Sequence, residues 1–181
     1  MDSINNLNGM RTYLVGAMDR VVDAGTTWRN NITPYLEEMN VTVINPCKGN
    51  NIRHVSESLE IRNWIEYYKE TAQFDKIKKF NNIRSADLRC IDISDFIIVY
   101  IDMDVHLCGS YEELFTANRQ KKPVLVWCKQ GKELAPNWLF FTLPHQHIFG
   151  SMSELLDYLH KIDTTNDTSN LDRWFFFNFE I

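Results

Sequence analysis

The 181-residue sequence has no run of apolar residues approaching the roughly 20 that a bilayer-spanning helix needs. Its start, Met1-Asp2-Ser3-Ile4-Asn5-Asn6, has neither the basic opening nor the apolar stretch of a signal peptide. A soluble, cytoplasmic protein with no membrane partner is therefore expected. Cys-x-x-Cys pairs are also missing: Cys47, Cys90, Cys108 and Cys128 lie far apart, with no histidine at finger spacing. Neither a zinc site nor a disulfide framework follows from such spacing, and no metal or cofactor is expected. Positive charge is in deficit, with 19 Lys and Arg against 24 Asp and Glu. Basic residues cluster only at Lys76-Ile77-Lys78-Lys79 and Arg119-Gln120-Lys121-Lys122, which argues against nucleic acid as a partner. Finally, no Gly-x-Gly-x-x-Gly follows the first strand-like run, which removes the dinucleotide fingerprint.

What is present is 44% hydrophobic and 13% aromatic, enough for one domain with a full core and too short for two. Strand-like runs alternate with helical periodicity, the pattern of a parallel sheet covered on both faces. The strands are read at Thr12–Ala17, Val41–Pro46, Phe96–Ile101, Pro123–Cys128 and Gln146–Phe149. Helices are read at Thr27–Met39 with Pro34 inside it, Ser58 to about Phe80, Ser85–Ile93, from Gly109-Ser110 through Glu113, and Ser151–Ile162. Right-handed crossovers then favour a single flavodoxin-like, Rossmann-like α/β domain, a five-stranded parallel sheet of order 2-1-3-4-5 over residues 1–162. Residues 163–181 read as a polar linker and an aromatic tail, Trp174 to Ile181, that packs on the domain or on a neighbouring subunit.

The stretch Cys108-Gly109-Ser110-Tyr111-Glu112-Glu113-Leu114 sets two carboxylates in a helix that follows a buried strand. In open α/β sheets, ligands collect outside the carboxyl ends of the strands. Two readings stand for Ser110 and Glu113. One is a capping box, as at Ser151-Met152-Ser153-Glu154. The other is a reactive carboxylate kept ionised by a helix N-terminus, which suits a nucleophile attacking an anomeric carbon. Asp87 is read as N-terminal charge of its short helix or as a substrate group, and Asp95 as a residue at the start of its strand. Asp102 and Asp104, past the third strand, are candidates for accepting hydrogen bonds from ligand hydroxyls. Tyr13 and Gly16 offer a hydroxyl and a close backbone approach at the end of the first strand. His145 and His147 alternate onto one face as structural residues. Trp138, Phe140 and Phe141 are read as core or interface, with a base-stacking ring as the other option.

Thr12-Tyr13-Leu14-Val15-Gly16-Ala17, Ala86-Asp87-Leu88 with Ile91 and Asp95, then Asp104 and Gly109-Ser110-Tyr111-Glu112-Glu113-Leu114 with Ala117 together resemble the nucleoside 2-deoxyribosyltransferase family. That family includes the related deoxynucleoside monophosphate N-glycosidases, and the resemblance covers residues 11 to 160. It implies an enzyme, a pentosyltransferase or N-glycoside hydrolase, whose substrates are a nucleoside or nucleotide and a free nucleobase. It implies Glu113 as the nucleophile at C1′, Asp87 beside the leaving base, and Asp104 or Asp102 on the sugar hydroxyls. Tyr13, Gly16, Gly109 and Ser110 complete the substrate site. For a 5′-phosphate, the loop from Met18 to Thr27 offers Arg20, Gly25, Thr26 and Thr27. It also implies a homo-oligomer. The chain departs from the family by a longer gap, Val105-His106-Leu107-Cys108, before Gly109, and by its aromatic tail. A module that binds nucleotides without chemistry is the remaining alternative.

Overall fold

A computed structural model describes residues 4–48, 58–169 and 171–174. Among these residues five strands, β1 (Arg11–Gly16), β2 (Thr42–Ile44), β3 (Phe96–Ile101), β4 (Val124–Cys128) and β5 (Ile148–Phe149), form one sheet in the order β2-β1-β3-β4-β5. Every pairing is parallel, with Tyr13 opposite Ile44 on one side and Ile97 on the other. This is the architecture and order expected from the alternation of elements. The order reverses between β1 and β3, so the crevice beyond their carboxyl ends is the topological switch point.

Among the described residues six α-helices surround the sheet: α1 (Thr26–Glu38), α2 (Leu59–Glu70), α3 (Asn81–Ile93), α4 (Cys108–Arg119), α5 (Asn137–Thr142) and α6 (Met152–Thr164). Side chains alternate across a strand. Tyr13 and Val15 accordingly join Ile97, Val99, Ile91 and Leu114 on one face of the sheet. Leu14 joins Ile98, Ile32, Leu36, Leu155 and Leu159 on the other. That alternation aims Tyr13 at the face covered by α3 and α4.

Several boundaries differ from the sequence reading, each for a local reason. The helix expected from Ser58 to Phe80 ends at Glu70, where the Thr71 hydroxyl donates to the Tyr67 carbonyl and Ala72 takes a left-handed φ of 55°. A 3-10 segment, Phe74–Phe80, then runs directly into α3, which begins at Asn81 rather than Ser85. Apolar spacing continues through the break and so does not signal it. His145 and His147 lie in a 3-10 turn, which cancels strand alternation: His147 is buried and His145 exposed. On α5 only Leu139 is buried, while Trp138, Phe140 and Phe141 are exposed, so these rings are not core. Ser151 does cap α6, accepting from the Glu154 N–H (3.2 Å), while the Glu154 carboxylate accepts from the Gly150 N–H (2.8 Å).

The segment expected as a linker is tied down at its start. Asp163 is a buried part of α6 and accepts from the Leu7 N–H (2.9 Å), and the Asn6 amide donates to the carbonyls of Ile162 and Thr165. Trp174 is fully buried against Phe96. Residues 175–181 of the expected tail lie outside the described residues. No helix among the described residues is long and apolar enough to cross a membrane.

The Trp174 indole donates to the Tyr158 hydroxyl (2.9 Å), which lies 2.9 Å from His147 Nε2. Burial pushes the His147 imidazole down to about 4 and the Tyr158 phenol up to about 12. The unfolded chain takes up the imidazole proton near 6.5, the folded chain only near 4. Stability from the neutral ring is thus complete above the unfolded value and is lost as pH falls between the two. Urea unfolding is expected to show a loss of about 2 kcal/mol between pH 7.5 and pH 5. His147→Gln is expected to flatten that slope.

Candidate active site

Tyr13 stands in the middle of β1, its side chain buried under α3 and α4, and its hydroxyl reaches two carboxylates. It lies 3.0 Å from Asp87 Oδ1 and 3.2 Å from Glu113 Oε1. A phenol carries one hydrogen, so the hydroxyl donates to one carboxylate at a time. Asp87 comes from α3 and Glu113 from α4, and both are half-buried.

The neighbouring glutamates point to different partners, as consecutive helical residues do. Glu112 is exposed and paired with Arg84 of α3, whose Nε donates to Oε2 (2.8 Å) and whose Nη2 reaches Oε1. That guanidinium holds the Glu112 carboxyl below its ordinary range. Glu113 alone of the two faces Tyr13.

The helix start differs from the sequence reading. The Asp102 carboxylate accepts from the Asp104 N–H (3.1 Å), the Val105 N–H donates to the Asp102 carbonyl (3.1 Å), and α4 opens at Cys108. Ser110 is therefore the third helical residue, buried, and not a cap; Leu107 holds the cap position without a side-chain bond. Glu113 sits in the second turn, and Asp87 likewise lies well inside α3. The helix-terminal field fades within the first turn. The Tyr13 hydroxyl, within hydrogen-bond distance of both carboxylates, can stabilise a charge on either.

Two adjoining hollows meet at these groups, and Met18, Asp19, Asp87, Cys108, Gly109 and Glu113 line both. The polar one, about 360 Å³, adds Tyr13, Gly16, Arg20, Arg29, His106 and Ser110. The apolar one, about 430 Å³, is bounded by α2, the 3-10 segment and α3. Tyr13, Gly16, Asp87, Gly109, Ser110 and Glu113 all line the polar hollow.

Asp102 and Asp104 line neither hollow. Asp102 accepts from Lys129 Nζ (2.7 Å) and Gln130 Nε2 (2.7 Å), and Asp104 accepts from the same Gln130 amide (3.1 Å). Burial raises the Asp102 carboxyl, but the bonds from Lys129, Gln130 and the Asp104 N–H outweigh it and hold the group below its ordinary value. Of the loop offered for a phosphate, only Arg20 lines the polar hollow among the four named residues. The N–H groups of Gly25 (3.0 Å) and Thr27 (2.9 Å) donate to the Asp23 carboxylate, so an acid of the chain already occupies that turn.

Sequence reasoning missed Arg29 and Asp19. Arg29 is buried, donating to the carbonyls of Leu14 (3.1 Å), Gly25 (2.8 Å) and Gly16 (2.9 Å), and it clamps the end of β1 to the start of α1. Its signal was an arginine on the buried stripe of Trp28, Ile32, Thr33 and Leu36. The clamp explains two glycines. A Cβ at Gly25, where φ is 71°, would lie 2.3 Å from the guanidinium, and one at Gly16 would lie 3.0 Å from the Trp28 ring. Asp19, exposed on an irregular loop, carried no pattern at all.

Against known proteins, no family model and no curated protein matches the sequence. Solved structures do match the fold. The 2-deoxyribosyltransferase of the psychrotolerant bacterium Bacillus psychrosaccharolyticus superposes with a TM-score of 0.55 over 82% of this chain and 91% of its own, at 18% identity. A CMP N-glycosidase of Clostridium botulinum gives a TM-score of 0.45 over 83% of this chain and 98% of its own, at 16% identity. The first likeness establishes a shared fold.

Arg29→Met is expected to leave three buried carbonyls without their donor and to cost about 3 kcal/mol of stability, measured by urea unfolding.

Proposed function

We propose that the protein cleaves the N-glycosidic bond of a 2′-deoxynucleoside and transfers the deoxyribosyl group to another nucleobase. The observation that carries this reading is the meeting of Glu113 and Asp87 at the Tyr13 hydroxyl, on the wall of a cavity at the sheet's switch point. The Glu113 carboxylate attacks C1′, the bond to the base breaks, and Asp87 supplies the proton that the departing base nitrogen takes up. A glycosyl-glutamate results, and splitting one displacement into two lowers each barrier. An incoming base then attacks C1′ from the leaving base's place and returns its proton to Asp87, freeing Glu113. Tyr13 fixes the position of the nucleophile through a hydrogen bond, which confers the alignment that attack needs. The motifs around Asp87 and Glu113 resemble those of the nucleoside 2-deoxyribosyltransferase family, and the fold shared with one such enzyme supports the reading. The exposed rings of Trp64, Tyr67, Trp138 and Phe141 support a homo-oligomer.

A second reading, hydrolysis of a 5′-monophosphate with water as acceptor, is favoured by Arg20, exposed on the polar hollow. Guanidinium groups suit a phosphate.

Incubation with deoxyinosine and adenine is expected to yield deoxyadenosine and hypoxanthine by chromatography. Base release without exchange would select the hydrolase. Nucleotide binding with no turnover of any nucleoside or monophosphate would contradict both and leave a binding module. Glu113→Gln is expected to lower turnover by about 10³ or more, and Glu112→Gln by less than about tenfold, as fits a nucleophile beside an ion-paired neighbour.

A further inference from the structure

The apolar hollow is out of proportion to an ordinary nucleobase. Ile61 and Ile65 of α2, Ile77 and Phe80 of the 3-10 segment, and Ile83 and Leu88 of α3 converge on about 430 Å³ of space. All six are half-buried, so their apolar surface faces the hollow instead of being spent in the core. The volume is within the range of clefts that hold drug-sized ligands.

The two arginines on this hollow are committed elsewhere. Arg84 is held by Glu112, and Arg62 Nη1 donates to the Val21 carbonyl (2.8 Å) with the Met18 carbonyl at 3.4 Å. An unsubstituted base would fill a fraction of the space and turn its ring nitrogens and exocyclic groups toward isoleucine methyls. Burying such groups without hydrogen bonds is unfavourable. A base bearing an apolar substituent would instead keep its polar ring near Asp87 and Glu113, at the shared wall, and bury the substituent beyond it. Each buried methylene adds to affinity.

We propose that the aglycone of this enzyme is a nucleobase carrying a bulky apolar substituent, seated among Ile61, Ile65, Ile77, Phe80, Ile83 and Leu88. The proposal rests on the glycosidic reading for the identity of the wall, while the hollow's selectivity is measurable without turnover. The substituent determines specificity through contact and takes no part in the bond exchange.

The test is calorimetric titration of the full chain with 6-benzylaminopurine and with adenine. The substituted base is expected to bind at least tenfold more tightly. Ile65→Trp, which fills the hollow, is expected to reduce that ratio below threefold, and Ile83→Trp on the opposite helix gives the same readout should the first variant fail to fold. Equal affinity for the two bases, or tighter adenine binding, overturns the proposal. So does a preference that neither folded variant reduces. Turnover of deoxyadenosine, followed in parallel, separates the two levels. Cleavage without any preference between the bases sinks this proposal alone, whereas a preference without cleavage of any nucleoside sinks the glycosidic reading and supports the hollow's selectivity.

Discussion

The arrangement depends on one hydroxyl with one hydrogen. Tyr13 rises from an interior strand, hydrogen-bonded to neighbours on both sides, so its ring has little freedom to move. Its oxygen stands between acids brought by two different helices. Two ionised carboxylates brought together would repel, more strongly where partly buried, so the pair is easier to hold with a proton on one of them, as the proposed role of Asp87 requires. A shared donor between them offsets part of that cost, and it sets where each carboxylate can be. Packing supports this arrangement from below: Ile91 of α3 and Leu114 of α4 lie in the same core cluster as Tyr13. The side chains that anchor the two helices to the sheet thus also set the distance between their acids.

Around that point the molecule separates two environments. On one side are arginines, a histidine and an uncapped helix start, on the other a wall of isoleucine and phenylalanine. On the proposed reading, a ligand that spans both is polar at one end and apolar at the other, with the bond to be exchanged beside Glu113 and Asp87. The Arg29 clamp, with Gly16 and Gly25 giving it room, keeps the polar side in shape by holding the turn after β1 against α1.

Much of this was legible in the sequence, and the limits have physical causes. Strand order followed from alternation and crossover handedness, because a parallel sheet buried on both faces writes continuous apolar runs such as Phe96–Ile101. Glu113 and Asp87 stood out by their place relative to strands, and Tyr13 by its place within one. Two identical-looking boxes, Ser110 to Glu113 and Ser151 to Glu154, diverged because only the second begins a helix at its serine. The turn closed by Asp102 is followed by a helix whose cap position lies three residues N-terminal of Ser110, at Leu107, and no short motif encodes that. Asp102 and Asp104 were drawn to Lys129 and Gln130, which are close only through the pairing of β3 with β4. Contacts of that range are invisible to local pattern. Arg29 was hidden for the opposite reason, since a charged residue on an apolar stripe looks like noise until the carbonyls it serves are in view.

The most direct test of the central claim is capture of the covalent species. A 2′-deoxy-2′-fluoroarabinosyl nucleoside slows both displacements by destabilising the oxocarbenium-like transition state, and the second step is then slow enough for intact-mass analysis. The account predicts a single added fluoroarabinosyl group, mapped by peptide sequencing to the side chain of Glu113. A label on Glu112 or any other residue, or steady turnover of true substrate with no nucleophile ever labelled, would contradict it.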